Sequence, residues 1–460
     1  MAAVLVAATA VPAHAAGIVR TDTGFVSGTV SNAQRSFQGI PFAAPPVGEN
    51  RWRDPQPAKP WHGVLEADQP GPGCEQDEDC LYLNVHAPLA AANRPVMVWI
   101  HGGSFTTGAG ADYGADRLVS RGTVVVTINY RLGAFGYFGF PGLDGSGAFG
   151  LRDQQAALEW VQRNIRQFGG DPHNVTLFGA SAGGLSTCAQ LTSPRTRGLF
   201  HRSIIQSGPC QLGLPAGENN VQHTWVERED VEQAGAQASG CPDVACLRRL
   251  TVEQIRALTP LFSSPAYGTE ALPENPITAL REGRFHEIPV LVGTARDELT
   301  VFVAMFYPRL DAAGYEQALV EGFGAAKAKR ILAAYPPRGG DERVPLSAAL
   351  TDMTSSCTTA ELREQTGAFG YEFAEPEPPM IFQGMPEFPY GAYHGSELPF
   401  LFRYGDTKLT AKQERLSDEM VRAWTRFART GRPGWSRQDV RVFASVPVEP
   451  AEDRCDLWAS

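Results

Sequence analysis

Residues 174–183 read NVTLFGASAG and join a short apolar run to a segment of small residues. The run is typical of a buried strand, and the small residues favour the start of a helix. Between them, the pattern G-x-S-x-G places a serine on a turn so tight that only glycines fit two residues to either side. We therefore predict that Ser181 is a nucleophile at the end of a strand, facing the N-terminus of a helix.

Further short apolar runs that do not alternate with polar residues predict strands buried on both faces of a parallel sheet. These runs are residues 96–100, 124–128, 203–205 and 289–292. Residues 153–168 carry apolar side chains at helical spacing, and strand–helix–strand repetition predicts an α/β fold with a mostly parallel central sheet and helices on both faces. The Pro- and Gly-rich opening hundred residues predict an antiparallel edge. The polar, helical and loop-rich residues 211–287 predict a cap or lid insertion.

The chain has 460 residues, of which 43% are hydrophobic, enough for a large core in one domain over residues 16–460. Its net charge of −10 and its lack of Lys/Arg runs argue against nucleic acid or an anionic membrane as a partner. Residues 1–15 form an apolar run that ends in Ala13-His14-Ala15, which predicts a signal peptide and export, with a buried N-terminal strand as the alternative. The oligomeric state stays open; a monomer fits.

Eight cysteines suit an oxidising compartment, and they allow 105 pairings. Proximity in the sequence favours Cys74–Cys80 and Cys241–Cys246, and Cys188–Cys210 with Cys357–Cys455 would complete the set. The alternative for Cys188 is a buried free thiol. No Cys or His spacing matches a zinc site, so we predict no metal and no cofactor.

A serine nucleophile needs a base to take its proton and an acid to hold that base. In α/β-hydrolases these follow in the order Ser, Asp/Glu, His, and His394 is the one histidine in the C-terminal third of the chain. The acid is expected just after the strand at residues 289–292, where Asp297 and Glu298 are adjacent, and spacing does not separate them. The alternative for either is a solvated charge or a partner of Arg296.

Catalysis also needs an oxyanion hole, in which preset backbone N–H groups bind the oxygen that becomes negative. Residues 101–105, HGGSF, follow a predicted core strand as an HGGG-type loop does. Ala182, just after the serine, would supply a further N–H donor.

The chain resembles the type-B carboxylesterase/lipase family, the cholinesterase-like branch of the α/β-hydrolase fold, and in particular its bacterial secreted members. The resemblance covers nearly the whole mature chain, in FQGIPF (37–42), PPVG (45–48), EDCLYLNV (78–85), NYRLG (129–133), FGGDP (168–172), GASAG (179–183), QSG (206–208) and HGSE (394–397).

This resemblance implies Glu298 as the acid, Gly103, Ser104 and Ala182 as oxyanion donors, and Ser207 as a hydroxyl close to the triad. It also implies two structural ion pairs, Arg51–Glu78 and Arg131–Asp153, and supports Cys80 as a disulfide cysteine.

Three differences from the family's pattern bear on the substrate. Ala180 stands where the family usually has glutamate, Leu299 replaces the usual glycine after the acid, and the loop between Cys74 and Cys80 carries no tryptophan. The first and third argue against a preference for choline esters. The expected function is hydrolysis of short- to medium-chain carboxylic esters through an acyl-enzyme on Ser181. A lipase or polyester hydrolase is the alternative, and a non-catalytic binding module is a second one.

Overall fold

A ten-stranded sheet lies at the centre of the molecule, and the computed structural model describes residues 17–31, 34–215, 221–449 and 454–458. The described strands are β1 (Ile18–Arg20), β2 (Phe25–Ser27), β3 (Thr29–Ser31), β4 (Gln34–Pro41), β5 (Val64–Glu66), β6 (Tyr82–Pro88), β7 (Arg94–Ile100), β8 (Tyr113–Gly114), β9 (Val124–Ile128), β10 (Gly170–Ala180), β11 (Arg202–Gln206), β12 (Gly213–Pro215), β13 (Val221–His223), β14 (Val226–Glu227), β15 (Ala266–Tyr267), β16 (Val290–Ala295), β17 (Phe369–Phe373), β18 (Arg403–Tyr404) and β19 (Val440–Phe443).

Helices surround this sheet. The described α-helices are α1 (Asp116–Val119), α2 (Gly133–Tyr137), α3 (Phe149–Asn164), α4 (Ala182–Thr192), α5 (Arg228–Ser239), α6 (Val244–Arg248), α7 (Val252–Leu258), α8 (Pro276–Arg281), α9 (Thr300–Phe306), α10 (Ala312–Ala334), α11 (Arg343–Thr351), α12 (Cys357–Thr366), α13 (Leu398–Leu401) and α14 (Ala411–Thr430).

The strand order across the central sheet is β19-β17-β16-β11-β10-β7-β9-β6-β4-β3. The first seven of these run parallel to one another. β6, β4 and β3 continue the sheet with antiparallel pairings. The predicted α/β fold, with a mostly parallel sheet and an antiparallel N-terminal edge, is confirmed.

The five strands predicted from apolar runs are β7, β9, β10, β11 and β16, which occupy the middle of the sheet. Side chains alternate between its faces, so that Val96 and Val98 of β7 lie in one core cluster, whereas Met97 and Trp99 lie in the other. Helix α3 packs into the first cluster and α14 into the second. Helices therefore cover both faces, as predicted.

Helix α3 begins four residues earlier than the sequence pattern predicted, at Phe149 instead of residue 153, and its last turn is a 3-10 helix, Ile165–Phe168. Phe149, Gly150 and Leu151 are all buried, so tertiary packing extends the helix at its N-terminus.

The segment predicted as a cap, residues 211–287, holds helices α5 to α8 and the small strand pairs β12–β13 and β14–β15. Where the structure describes this segment, none of its strands joins the central sheet. Its apolar side chains, such as Val231 and Phe262, pack on Phe138 and Phe149 of the main body. Movement of the segment as a lid stays a prediction.

Four disulfides join the eight cysteines in the pairs that the sequence favoured, and Cys188 is not a free thiol. These bonds are consistent with an oxidising compartment. The predicted signal peptide, with Ala13, His14 and Ala15, lies outside the described residues. None of the helices described is long and apolar enough to cross a membrane.

Both ion pairs implied by the resemblance are present. Arg51 contacts Glu78 at 2.7 Å, and Arg131 contacts Asp153 at 2.8 Å, with all four side chains largely buried. Asp153, in α3, also accepts the backbone N–H of Arg131, which fixes the loop after β9 against that helix.

Candidate active site

Ser181 lies between the end of β10 and the start of α4, with φ 58° and ψ −126°. For a residue other than glycine, such backbone geometry costs about 1–3 kcal/mol and persists only where its surroundings enforce it. Gly183 supplies part of that enforcement, because a Cβ atom there would collide with the backbone carbonyls of Ile100 and His101. The predicted strand–turn–helix geometry around the serine is present.

The loop after β7 has a strained backbone where it approaches the serine. Gly103, Ser104 and Phe105 have φ values of 113°, 52° and 59°. Among the described residues, the N–H groups of Gly103 and Ser104 donate to no protein acceptor. Ala182 is the first residue of α4, where backbone N–H groups have no partner within the helix. These are the three residues predicted as oxyanion donors.

Glu298 and His394 meet across two loops. His394 Nδ1 lies 2.5 Å from Glu298 Oε2, and the backbone N–H of His394 donates to the carbonyl oxygen of Glu298. The other carboxylate oxygen of Glu298 accepts the Thr294 hydroxyl at 2.7 Å and the Ala295 N–H at 2.8 Å. Because Glu298 is fully buried, these contacts hold its carboxylate in one orientation.

Asp297, the other candidate acid, points elsewhere. Its carboxylate accepts the backbone N–H of Ala392 at 2.9 Å, and its own N–H donates to the Ala392 carbonyl. Arg296, the suggested alternative partner, instead pairs with Glu372 at 2.6 Å. Asp297 thus forms two hydrogen bonds with the loop that leads to His394, whereas Glu298 contacts the imidazole.

The two partners shift each other's pKa. Burial raises the pKa of the Glu298 carboxyl, but the charge of His394 and hydrogen bonds from His394 and Thr294 outweigh it and hold that pKa below its ordinary value. Burial lowers the pKa of the His394 imidazole, and the charge and hydrogen bond of Glu298, with the charge of Glu397, raise it above its ordinary 6.5 overall. The pair is therefore stable with a negative carboxylate beside a basic imidazole.

A second histidine near the serine is unsuited to act as a base. His101 is fully buried and stacks on Tyr130 with ring centroids 4.4 Å apart. Burial lowers its pKa to about 4, and its Nδ1 bonds to the Gly102 carbonyl oxygen. It is a neutral structural residue that supports the loop of Gly103 and Ser104.

Three residues of the site were given no role by the sequence reasoning. Thr294 bonds Glu298, the Phe302 ring lies 5.1 Å from the His394 ring, and buried Glu397 carries a pKa raised to about 7 by burial and by the charge of Glu298. Gln206 donates to Glu397 at 3.3 Å. The HGSE motif contains Glu397, so the sequence offered a signal there, but Thr294 and Phe302 become visible only through the fold.

The serine, the histidine and the loop of Gly103 and Ser104 face one cavity of about 200 Å³. It is lined by Ser181, His394, Ser207, Gly103 and Ser104, and by apolar side chains that include Phe302, Ile381, Phe382 and Leu398. Ser207 has φ 49°, and its N–H donates to the Gly293 carbonyl at 2.8 Å. This bond holds Ser207 between the turn of Ser181 and the loop of Asp297 and Glu298, which is called the acid loop below.

Comparison with known proteins agrees with this arrangement. The sequence profile of the carboxylesterase family matches residues 15–446. The chain belongs to the carboxylesterase family. It is 36% identical to the para-nitrobenzyl esterase of Bacillus subtilis (strain 168), over 90% of each chain. It is 33% identical to a medium-chain fatty acyl-CoA hydrolase precursor of Anas platyrhynchos, over 90% of this chain and 84% of the relative.

Solved structures give the same result. A PNB esterase structure superposes with a TM-score of 0.77 at 32% identity, covering 93% of this chain and 96% of that one. A thermophilic PNB esterase also has a TM-score of 0.77. This carboxylesterase has the α/β-hydrolase fold and is a carboxylic ester hydrolase of a family that acts on small ester substrates.

Proposed function

We propose that the protein is a secreted serine carboxylesterase that hydrolyses short- to medium-chain esters through an acyl-enzyme on Ser181. His394 takes the proton of the Ser181 hydroxyl, which attacks the ester carbonyl, and Glu298 orients the imidazole and stabilises its charged form. The N–H groups of Gly103, Ser104 and Ala182 bind the oxyanion. The alcohol leaves with the proton from His394, and water activated by the same histidine then releases the acid.

The observation that carries this proposal is the 2.5 Å contact between Glu298 and His394 beside a cavity that also exposes a strained serine. The N–H groups of Gly103 and Ser104, two residues that line that cavity, have no acceptor among the described residues. A volume of about 200 Å³ lies below the roughly 300–1,000 Å³ of sites for drug-sized ligands, which supports small substrates.

Longer acyl chains are the second candidate, because α9 continues from the cavity wall to the surface. Its Phe302 lines the cavity, while Met305 is 45% exposed and Phe306 is 75% exposed. The exposed apolar end of α9 would receive a long chain or an aggregated substrate.

Hydrolysis of p-nitrophenyl esters from acetate to palmitate separates these candidates. We expect the largest kcat/KM at short to medium chains and a loss of several orders of magnitude in Ser181→Ala. A maximum at the longest chains would replace the esterase assignment by a lipase. Equal rates in the wild type and Ser181→Ala would remove this serine from the mechanism, and inertness towards every ester would favour the binding module.

A further inference from the structure

A disulfide joins the helix that begins just after the nucleophile to the segment that follows β11. Cys188 lies in α4, two turns after Ser181, and Cys210 lies just beyond the end of β11. Both cysteines are fully buried, and their Cα atoms are 5.7 Å apart. The mechanism proposed above gives this bond no role, and none of the motifs that carry the family resemblance contains either cysteine.

The segment of residues 207–210 passes very close to the first turn of α4. The Ser181 N–H donates to the Gln206 carbonyl at 3.0 Å, and a Cβ atom added to Gly208 would collide with the Ser181 carbonyl oxygen. A Cβ atom added to Gly184 would lie 2.7 Å from the Gln206 carbonyl oxygen. Because the two backbones are in direct contact here, any shift of α4 relative to this segment also displaces Ser181.

The disulfide lies on the same face of α4 as these close contacts. Cys188 follows Gly184 by about one helical turn, so both residues face the 207–210 segment. At Gly184 the helix is held by packing, whereas at Cys188 it is held by a covalent bond. Two attachment points on one face restrict both the rotation of α4 about its axis and its sliding along that axis.

The 207–210 segment is itself fixed by other parts of the site. The Ser207 N–H donates to the carbonyl of Gly293 in β16, the strand that leads into the acid loop. The buried side chain of Trp225 donates its Nε1–H to the Cys210 carbonyl at 2.7 Å. The disulfide therefore joins α4 to a backbone whose position relative to the acid loop is already set.

We propose that the Cys188–Cys210 disulfide positions the nucleophile for catalysis. It holds α4 at the rotation and distance that align the Ser181 hydroxyl with His394 and direct the Ala182 N–H at the oxyanion. The two cysteines act through α4 and touch neither the substrate nor the reacting atoms. Since the other side chains of α4 stay buried without the bond, the protein should fold in its absence, but with a slower chemical step. This role rests on the proposed esterase function of Ser181.

Replacing both cysteines separates positioning from folding. Cys188→Ala/Cys210→Ala removes the bond and leaves small apolar side chains in the core. We expect kcat for p-nitrophenyl butyrate to fall by roughly 10–100-fold and KM to stay within about threefold, because a displacement of about 1 Å at the reacting atoms costs up to about 10²-fold in rate. Each value is measured well below the urea midpoint of the variant, so that it refers to folded protein.

A second readout reports on the serine alone. Diethyl p-nitrophenyl phosphate transfers its phosphoryl group to the serine hydroxyl and releases p-nitrophenolate. The second-order rate constant of this inactivation should fall in Cys188→Ala/Cys210→Ala by a factor similar to that for kcat. A bond that served stability alone would leave this rate constant unchanged in the folded protein.

Two further variants serve as controls. Cys188→Val/Cys210→Ala refills part of the space that the sulfur atoms leave, and it should stay as slow as the alanine pair if the bond itself matters. Cys241→Ala/Cys246→Ala also removes one disulfide, but from the cluster of Phe138 and Phe149. It should keep kcat and the inactivation rate constant within about twofold of the wild type.

Four results would overturn the proposal. They are a normal kcat and inactivation rate constant in Cys188→Ala/Cys210→Ala, a recovered kcat in Cys188→Val/Cys210→Ala, an equal loss in Cys241→Ala/Cys246→Ala, and a failure of both Cys188 variants to fold, which would give the bond a role in folding instead. A wild type that reacts with neither the esters nor the phosphate would instead reject the esterase function, so the two failures are distinguishable.

Discussion

Glu298 and His394 each stabilise the ionised form of the other, and this coupling sets the pH dependence that we expect for the enzyme. A general base must be neutral to act. Burial lowers the pKa of His394, but the charge and hydrogen bond of Glu298, with the charge of Glu397, outweigh it and raise that pKa above 6.5. Activity should therefore rise with pH through an inflection above 6.5. Below that inflection the imidazolium is stable and the serine keeps its proton.

Removing the charge of Glu298 should move this inflection in a known direction. In Glu298→Gln, burial is left as the main influence on the His394 pKa, so the acidic limb of kcat/KM should shift to lower pH. The rate should fall by roughly 10²–10⁴, because the imidazole loses the group that orients it and stabilises its charge.

Asp297→Asn is the control for that experiment, since it changes the neighbouring carboxylate, which bonds Ala392 and not His394. It should leave the inflection in place. The assignment of the acid would be wrong if Asp297→Asn moved the acidic limb and Glu298→Gln did not. The measurement is the pH profile of kcat/KM for a neutral short-chain p-nitrophenyl ester.

The turn between β10 and α4 makes the position of Ser181 depend on how the helix packs against the sheet. Gly183 lies in the first turn of α4, and a Cβ atom there would collide with the backbone of β7 and of the loop that follows it. We expect Gly183→Ala to push α4 away from the sheet, lower the free energy of unfolding by about 2–4 kcal/mol, and reduce kcat more than KM.

Gly340→Ala is the matched control, because no atom of the described part of the chain lies within 4 Å of its added Cβ. It should leave stability and activity within about 0.5 kcal/mol of the wild type. Urea unfolding and ester hydrolysis, measured on both variants, test the argument. A Gly183→Ala protein with normal stability and rate would show that the close approach of α4 to β7 is not required.

How far the sequence predicts these elements depends on burial. The strands in the middle of the sheet are continuous apolar runs and were predicted, whereas β17 and β19 were missed. β17 contains Gly370 and a glutamate, Glu372, that pairs with Arg296, and β19 alternates charged and apolar residues at the sheet edge. Their patterns carry too little apolar continuity to indicate strands.

The residues of the candidate site also fall into two groups, those that the sequence predicts and those that it does not. Ser181, His394 and the loop of Gly103 lie in local motifs that their residue types make recognisable, and the family resemblance separated Glu298 from Asp297. Phe302 meets His394 only through packing between distant segments, whereas Thr294 lies four residues before Glu298 and reaches it within one turn. Leu299, a difference from the family's pattern, is buried in the cluster of α9 to α11, where its side chain anchors the acid loop. Sequence periodicity contains no information about such contacts.

The C-terminal end of the chain is tied to the helices that support the acid loop. Cys455 is joined to Cys357 at the start of α12, and Trp458 packs on Phe323 of α10. Helix α11, which precedes α12, ends at Thr351, whose hydroxyl accepts the Leu299 N–H at 3.0 Å. The attachment of the C-terminal segment and the position of the acid loop therefore both depend on helices α10 to α12.

The four disulfides should not contribute equally to stability, because they close loops of very different length. Cys357 and Cys455 are 98 residues apart, whereas Cys241 and Cys246 are 5 apart. Chain entropy gives about 4.7 kcal/mol for a loop of ~100 residues and about 2 kcal/mol for one of ~5. Replacing both cysteines by serine should therefore lower the free energy of unfolding more in Cys357→Ser/Cys455→Ser than in Cys241→Ser/Cys246→Ser. Urea unfolding of both variants measures the difference. If the free energy of unfolding fell equally in both, or fell more in the variant of the short loop, local packing and not loop closure would determine what each bond contributes.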